Sequence, residues 1–230
     1  MAPKKVLVVL TSADKIDKTN KPTGWYLPEF AHVFDVLKPK AEFVVASPKG
    51  GVAPLDPGSA EAFASDASCK NFLDKHRQLW EQTKPLADLV GRASEFDAIF
   101  YPGGHGPMLD LVDDKDSIRI IEEFWRAGKP VAALCHGPIA LVRVVIDGQP
   151  LLRSRRVTGF TNKEEAAINF VDAMPFLLED EAKKCGAEWL QAPELQGENV
   201  VVDGNLITGQ NPASSKAVGE ALLRALGTSD

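Results

Sequence analysis

Of the three cysteines in this 230-residue chain, only Cys135 stands where a thiol could be activated. It closes the apolar run Val131–Leu134 and is followed at once by His136, Gly137 and Pro138. Four consecutive apolar residues suit a strand buried on both faces. Past Gly137, the residues Ile139, Leu141, Val142 and Val145 fall at helical spacing and predict a helix. A cysteine at that junction is lifted out of the sheet, and the free N–H groups and positive dipole end of the helix favour its thiolate. His136 adds a positive charge or a base. Gly137 permits the tight turn, and Pro138 suits a first helical turn. The competing reading is a buried structural cysteine, the usual fate of a lone Cys in a strand. The order strand, Cys, His, Gly, Pro, helix favours the reactive thiol. Cys69 and Cys185 lack that context and read as packing residues.

Partners for the thiol are few. The histidines are His32, His76, His105 and His136, and none lies far downstream of Cys135. Papain-type peptidases and triad glutamine amidotransferases need such a histidine, so chain order argues against both. His105 stands in the loop Pro102–Pro107, where it either lines a site or is a surface residue. The same loop, GGHGPM, fits neither a G-x-G-x-x-G fingerprint nor a P-loop. Its freed N–H groups have another use beside a thiol: Gly104 and His136 can form an oxyanion hole for a carbonyl attacked by Cys135. Glu29 lies in the aromatic stretch Thr23–Phe30, either as a solvated first-turn acid or as a desolvated one with a raised pKa. Glu165 is also open to two readings, since Asn162 to Glu165 has the spacing of a helix N-cap and its capping-box partner.

The elements that must position these residues alternate. Strands are expected at Lys4–Leu10, Ala41–Ala46, Phe96–Tyr101, Val131–Leu134 and Arg156–Gly159. Asn199–Val202 and Leu206–Thr208 flank Asp203-Gly204-Asn205, a hairpin signal. Helices are expected from Leu27 to Lys38, Asp116 to Ala127, Lys163 to Phe170, Phe176 to Lys184 and Pro212 to Leu226. A helical insertion is expected at about residues 55–91, over one end of the sheet. This alternation predicts a single α/β domain with a mostly parallel sheet and helices on both faces. In such a sheet the ligand crevice lies at the carboxyl ends of the strands, where Thr11, Pro102–Gly106 and Cys135 would converge.

Composition narrows the function class. The net charge is -6 and no basic cluster exceeds Arg153–Arg156, which argues against a nucleic-acid partner. An odd cysteine count without metal-ligand spacing suits a reducing compartment. The apolar run Val6–Leu10 is too short for a signal peptide core or a membrane span, and Gly227–Asp230 carries no peroxisomal or lipidation signal. The expectation is a cytoplasmic chain acting on a small molecule, with no membrane partner.

The stretches YPGGHGPMLDL (Tyr101–Leu111), AALCHGPIAL (Ala132–Leu141), Gly24 with Glu29, RVTGFTNKEE (Arg156–Glu165) and LITGQNPASS (Leu206–Ser215) together resemble the DJ-1/PfpI superfamily. More closely they resemble its Hsp31-like branch, which includes glutathione-independent glyoxalases. The resemblance implies a flavodoxin-like three-layer sandwich, a nucleophile elbow, a site without cofactor, and a homodimer. It assigns Cys135 as nucleophile, His136 as its neighbour, Glu29 as the acid on the thiolate and Glu165 as the acid that orients the histidine. Glu164 is the rival for the last role. Gly104 and His136 match the oxyanion hole, and Trp25 and His105 the substrate-binding positions. Some Hsp31-type proteins use the histidine of GGHG in a metal site; His105 matches that ligand without identifiable partners, so no metal is expected. The implied activity is of glyoxalase III type, a lyase turning methylglyoxal, a 2-oxoaldehyde, into D-lactate. The alternatives are a stress holdase, a redox sensor, and a protein deglycase or cysteine peptidase.

Overall fold

Short buried strands and amphipathic helices alternate along the chain and assemble into three layers. The computed structural model describes residues 3–227, so most of the Gly227–Asp230 stretch, expected to carry no peroxisomal or lipidation signal, lies outside the described residues. The central sheet has seven strands in the order Val200–Asp203, Leu206–Gly209, Val131–Leu134, Ala98–Tyr101, Lys4–Val9, Ala41–Ser47, Lys84–Pro85. Every neighbouring pair is parallel except the first, which is the antiparallel hairpin around Gly204. In register, Val6 faces Ala98, Ile99 faces Val131, and Val131 in turn faces Leu206.

Strand residues alternate between two cores because successive side chains leave a strand on opposite faces. Val6, Val8, Phe100, Ala132 and Leu134 join Phe30, Phe34, Val218 and Leu222 from the Leu27–Leu37 and Ser215–Ala225 helices. Leu7, Val9, Ile99, Tyr101, Val131 and Ala133 join Ile120, Ile121 and Phe124 of the Lys115–Arg126 helix and Leu178 of the Leu178–Lys184 helix. Cys135 falls in the first core, beneath the Leu27–Leu37 helix.

The region expected as a helical insertion holds three short helices, Pro57–Ala62, Ala67–Lys75 and Gln78–Glu81, before the edge strand Lys84–Pro85. The first two start where Asp56 and Asp66 accept the N–H groups of Ser59 and Cys69. Phe72 and Trp80 carry the insertion onto Trp25, Phe30 and Phe34, forming an aromatic cluster with ring separations of 4.9–6.2 Å.

Two local expectations are corrected. The segment after Cys135 is a five-residue 3-10 helix, Gly137–Leu141, rather than a longer α-helix. The chain then forms a small hairpin, Val145–Ile146 with Gln149–Pro150, because Asp147 and Gly148 both take positive φ (51° and 78°), as a tight hairpin turn requires. Val145, expected on a buried helical face, is 46% exposed on that hairpin. A strand at Glu188–Trp189, pairing with Arg156–Val157, adds to the expected elements.

Candidate active site

Cys135 follows directly on the Val131–Leu134 strand, with φ at 60°, a left-handed conformation that a side-chain-bearing residue seldom adopts. Two backbone bonds hold it there. Its N–H donates to the Gly209 carbonyl at 3.0 Å, and its carbonyl accepts from the Phe160 N–H at 2.9 Å. Gly137 must be glycine, since a Cβ there would lie 2.2 Å from the Tyr101 carbonyl oxygen. The elbow is therefore set by three neighbouring strand ends, and Cys135 is left 4% exposed at the floor of a cavity.

On one side of the thiol is Glu29, in the first turn of the Leu27–Leu37 helix and fully buried. Oε2 accepts the Gly103 N–H at 2.6 Å, while Oε1 has no conventional hydrogen-bond partner. The carboxyl lies in contact with the Cys135 thiol. Burial is the main cause that pushes Glu29 up to about pKa 8, against the opposing pull of the Gly103 N–H. The thiol is also pushed up, by burial first and by the Glu29 charge next, and the Gly104 N–H works the other way. Both influences run against the expected low-pKa thiolate: the 3-10 turn supplies little dipole, and the thiol is buried with an acid beside it. Two such groups in contact titrate as a pair and hold a proton between them.

Gly104 takes φ of 88°, and a Cβ on it would meet the Gly24 carbonyl oxygen at 2.2 Å. This close passage aims the Gly104 N–H at the Cys135 sulfur and sets Gly103 against the backbone nitrogen of His136. Tyr26 completes the junction by donating its N–H to the Gly103 carbonyl at 3.1 Å. Thr11 sits behind the loop and donates to Asp110 at 2.8 Å, so it supports the strand ends without lining the cavity.

On the other side of the thiol a polar chain begins. The Cys135 Sγ lies 3.4 Å from His136 Nδ1, and His136 Nε2 lies 2.6 Å from Glu165 Oε2. The other oxygen of Glu165 meets His105 Nε2 at 2.7 Å. Although burial opposes it, the two histidines hold Glu165 well below the usual carboxylate range. His105 is pulled down by burial and by neighbouring His136, and its ring stacks on Phe170 at 4.7 Å.

The choice between Glu164 and Glu165 resolves by one position. Thr161, not Asn162, is the N-cap, and Glu164 is its capping-box partner. Glu164 also accepts from Gln210 and Asn211, which gives the LITGQN stretch its task. Glu165 is thereby free to face the histidines. His105, His136 and Glu165 put donor atoms within 4.8 Å of one another, the partners for His105 that spacing alone does not identify. Both Glu165 oxygens are already engaged by imidazole nitrogens, and the set as it stands is a hydrogen-bonded chain. A second donor set is His32, Asp66 and Cys69.

The cavity above Cys135 has a volume of about 480 Å³ and is walled by Tyr26, His32, Phe63, Phe160 and Ile168, with Asn211 and Lys216 among its polar lining. Trp25 does not belong to it. That side chain is 0% exposed in the aromatic core, with its indole N–H on the Ala53 carbonyl at 3.2 Å. Its neighbour Tyr26 takes the wall, and burial followed by the charge of Cys135 pushes its phenol up to about 12. In sequence Trp25 stands out as an aromatic ring near Glu29. In a helix-entry turn, adjacent residues point opposite ways, and the insertion covers Trp25.

Residues 83–225 match the DJ-1/PfpI family. The chain belongs to this family. A glutathione-independent glyoxalase of Saccharomyces cerevisiae is 30% identical, with 98% of this chain and 99% of that protein covered. The solved structure of glyoxalase III from Candida albicans superposes with a TM-score of 0.88 at 28% identity, covering 96% of this chain and 97% of that one. A protein/nucleic acid deglycase of Escherichia coli is 28% identical over 67% of this chain and 56% of its own length. This DJ-1/PfpI chain thus has the mostly parallel sheet and surrounding helices of its solved relatives. None of its described helices is long and apolar enough to cross a membrane.

Proposed function

We propose that this DJ-1/PfpI protein is a glutathione-independent glyoxalase that converts methylglyoxal and water to D-lactate. The observation that carries the reading is the Glu29 carboxyl, fully buried and in contact with the elbow thiol, where a proton can move between acid, sulfur and substrate. The full-length likeness to glyoxalases supports it.

In the reactive form the shared proton sits on Glu29 and the sulfur is a thiolate. The thiolate attacks the aldehyde carbon C1, and the new oxyanion is held by the N–H groups of Gly104 and His136 and is then protonated. Glu29, having given up its proton, takes the hydrogen from C1 as the C2 oxygen gains one, giving an enediol. Returning a proton to C2 and restoring C1=O gives a thioester of 2-hydroxypropanoate. Water hydrolyses the thioester, regenerating the thiol and releasing lactate and one proton. His136, held by Glu165, is placed to activate that water and to pass the proton on. No step uses a cofactor.

The test is a steady-state assay with methylglyoxal, free of glutathione and with a chelator present. Wild-type enzyme should form lactate, and Cys135→Ser should lose at least about 10³-fold, the scale of removing a nucleophile, with unchanged melting. Retention of a tenth of wild-type kcat would remove Cys135 from the mechanism. The cavity volume, far above what methylglyoxal fills, and the deglycase relative support a second use on bulkier carbonyl adducts. A homodimer acting in the cytoplasm completes the reading; sedimentation at micromolar concentration tests the first part and cell fractionation the second.

A further inference from the structure

The Leu27–Leu37 helix carries a second chemical group one turn beyond Glu29. His32 Nε2 lies 3.2 Å from Asp66 Oδ1 and 3.9 Å from Cys69 Sγ, and all three ligand atoms fall within 4.8 Å of one another. A tetrahedral zinc ion with bonds of about 2.0–2.3 Å to N, O and S has ligand-to-ligand edges of about 3.3–3.6 Å. The His32–Asp66 and His32–Cys69 separations bracket that range to within a few tenths of an ångström, and the Asp66–Cys69 pair lies within 4.8 Å. We propose that His32, Asp66 and Cys69 form a zinc-type divalent-cation site in the wall of the cavity that holds Cys135.

Helix capping alone does not account for the cluster. Asp66 caps the Ala67–Lys75 helix by accepting the Cys69 N–H at 2.8 Å, which needs neither an imidazole from another helix nor a thiol. Yet both converge on the same carboxylate, one from each side of the interface between the first helix and the insertion. Cys69 is fully buried, and its thiol lies within 4.8 Å of the Asp66 carboxylate. His32 and Asp66 keep 25% and 33% of their side chains exposed, so an ion can reach them from outside. Asp35, within electrostatic reach of both His32 and Cys69 and held by Ser68 and Lys38, adds negative charge around the site.

The donor set is one imidazole, one carboxylate and one thiolate, which suits zinc and its spectroscopic substitute cobalt over magnesium or calcium. Binding expels the thiol proton to solvent and replaces the hydrogen-bonded network by three bonds to the ion. A water would complete the tetrahedron as the fourth ligand, and His32 is the member of the set that also lines the cavity. The ion would clamp the insertion onto the helix that carries Glu29, fixing the roof of the cavity. The glyoxalase steps do not pass through it.

The probe is Co²⁺ added to full-length Cys135→Ser, which removes the thiol of the catalytic cavity. One equivalent should give the visible bands of tetrahedral cobalt with a thiolate-to-cobalt charge-transfer band, and Zn²⁺ should displace it and raise Tm. Adding Cys69→Ser should abolish the charge-transfer band, and His32→Gln should weaken affinity by about 10- to 100-fold. Asp66→Asn, which keeps a capping oxygen but loses the charge, should do the same without unfolding the insertion. Charge transfer that survives Cys69→Ser, or cobalt binding that disappears with Glu165→Gln while ignoring His32→Gln, would overturn the proposal. So would the absence of tetrahedral bands in a folded protein. None of these readouts depends on turnover, so failure at this site leaves the glyoxalase reading intact and the reverse also holds.

Discussion

Glu29 and Glu165 are both buried, both flank Cys135, and are driven in opposite directions. Glu29 has a single backbone N–H, an oxygen without a conventional partner and no cation, and burial pushes it up to about 8. Glu165 bridges two histidines and is held well below the usual carboxylate range. The same side chain is thus kept as a proton donor and acceptor on one side of the sulfur and as a fixed anion on the other. The environment, not the residue type, divides the labour: a proton shuttle needs a pKa near the working pH, and an orienting group needs to stay charged.

Glu29→Gln keeps a hydrogen-bond donor beside the thiol but cannot exchange protons. Turnover with methylglyoxal should fall by about 10² to 10⁴-fold. Alkylation of Cys135 by iodoacetamide at neutral pH should hold at the wild-type rate or rise, because the neighbouring negative charge that raises the thiol pKa is gone. Near-normal turnover would hand the shuttle to His136. A parallel collapse of alkylation and turnover would make Glu29 a group that ionises or positions the thiol.

Glu165→Gln should do less. An amide still bridges two ring nitrogens but offers one acceptor and one donor where the carboxylate offered two acceptors, so one histidine must change tautomer or turn away. A loss of about 10- to 100-fold in kcat is expected, since Glu165 reaches the substrate only through His136 and His105. A loss matching that of Glu29→Gln would mean that the histidine side carries the chemistry and would reverse the assignment of roles.

Much of this site is legible in the sequence because its parts lie in short stretches with strong local grammar. An apolar tetrad ending in Cys-His-Gly-Pro specifies an elbow, and the structure supplies one, with Cys135 in the left-handed region. What cannot be read depends on which way a side chain leaves a turn or on what lies above it. Trp25 and Tyr26 are adjacent aromatics, and only the insertion decides which of them is covered. Glu164 and Glu165 are separated by the choice of Thr161 over Asn162 as cap, a one-residue slip that rotates the acid by about 100° around the helix. The direction of the Cys135 shift escapes the sequence for a related reason. A helix start lowers a thiol pKa only if the helix is long enough and the thiol is solvated, whereas in this protein a five-residue turn meets a buried thiol with an acid beside it. His32, Asp66 and Cys69 leave no trace in spacing because two helices from separate parts of the chain bring them together.

The smallest effect concerns stability and gives the sharpest reading of the Glu29 environment. An acid whose pKa rises from 4.5 to about 8 on folding binds its proton more tightly in the native state. Between those pH values the folded protein carries more protons than the unfolded chain, so the contribution of Glu29 to stability is full below about pH 4.5 and declines as pH rises toward 8. Each unit of pKa corresponds to about 1.4 kcal/mol, but Cys135 shares the proton and softens the penalty, so a net effect of about 1–3 kcal/mol is expected. Glu29→Gln removes the titration and keeps an acceptor for the Gly103 N–H. Its Tm should match wild type near pH 5 and exceed it increasingly toward pH 8, by about 2–4 °C per kcal/mol for a domain of this size. Calorimetry across that range reads the slope directly. A Tm difference that stays constant with pH would mean that Glu29 is ionised in the folded protein throughout, and one that shrinks toward pH 8 would mean that its pKa is lowered. Either outcome would erase the contrast with Glu165 and leave the proton shuttle without its residue.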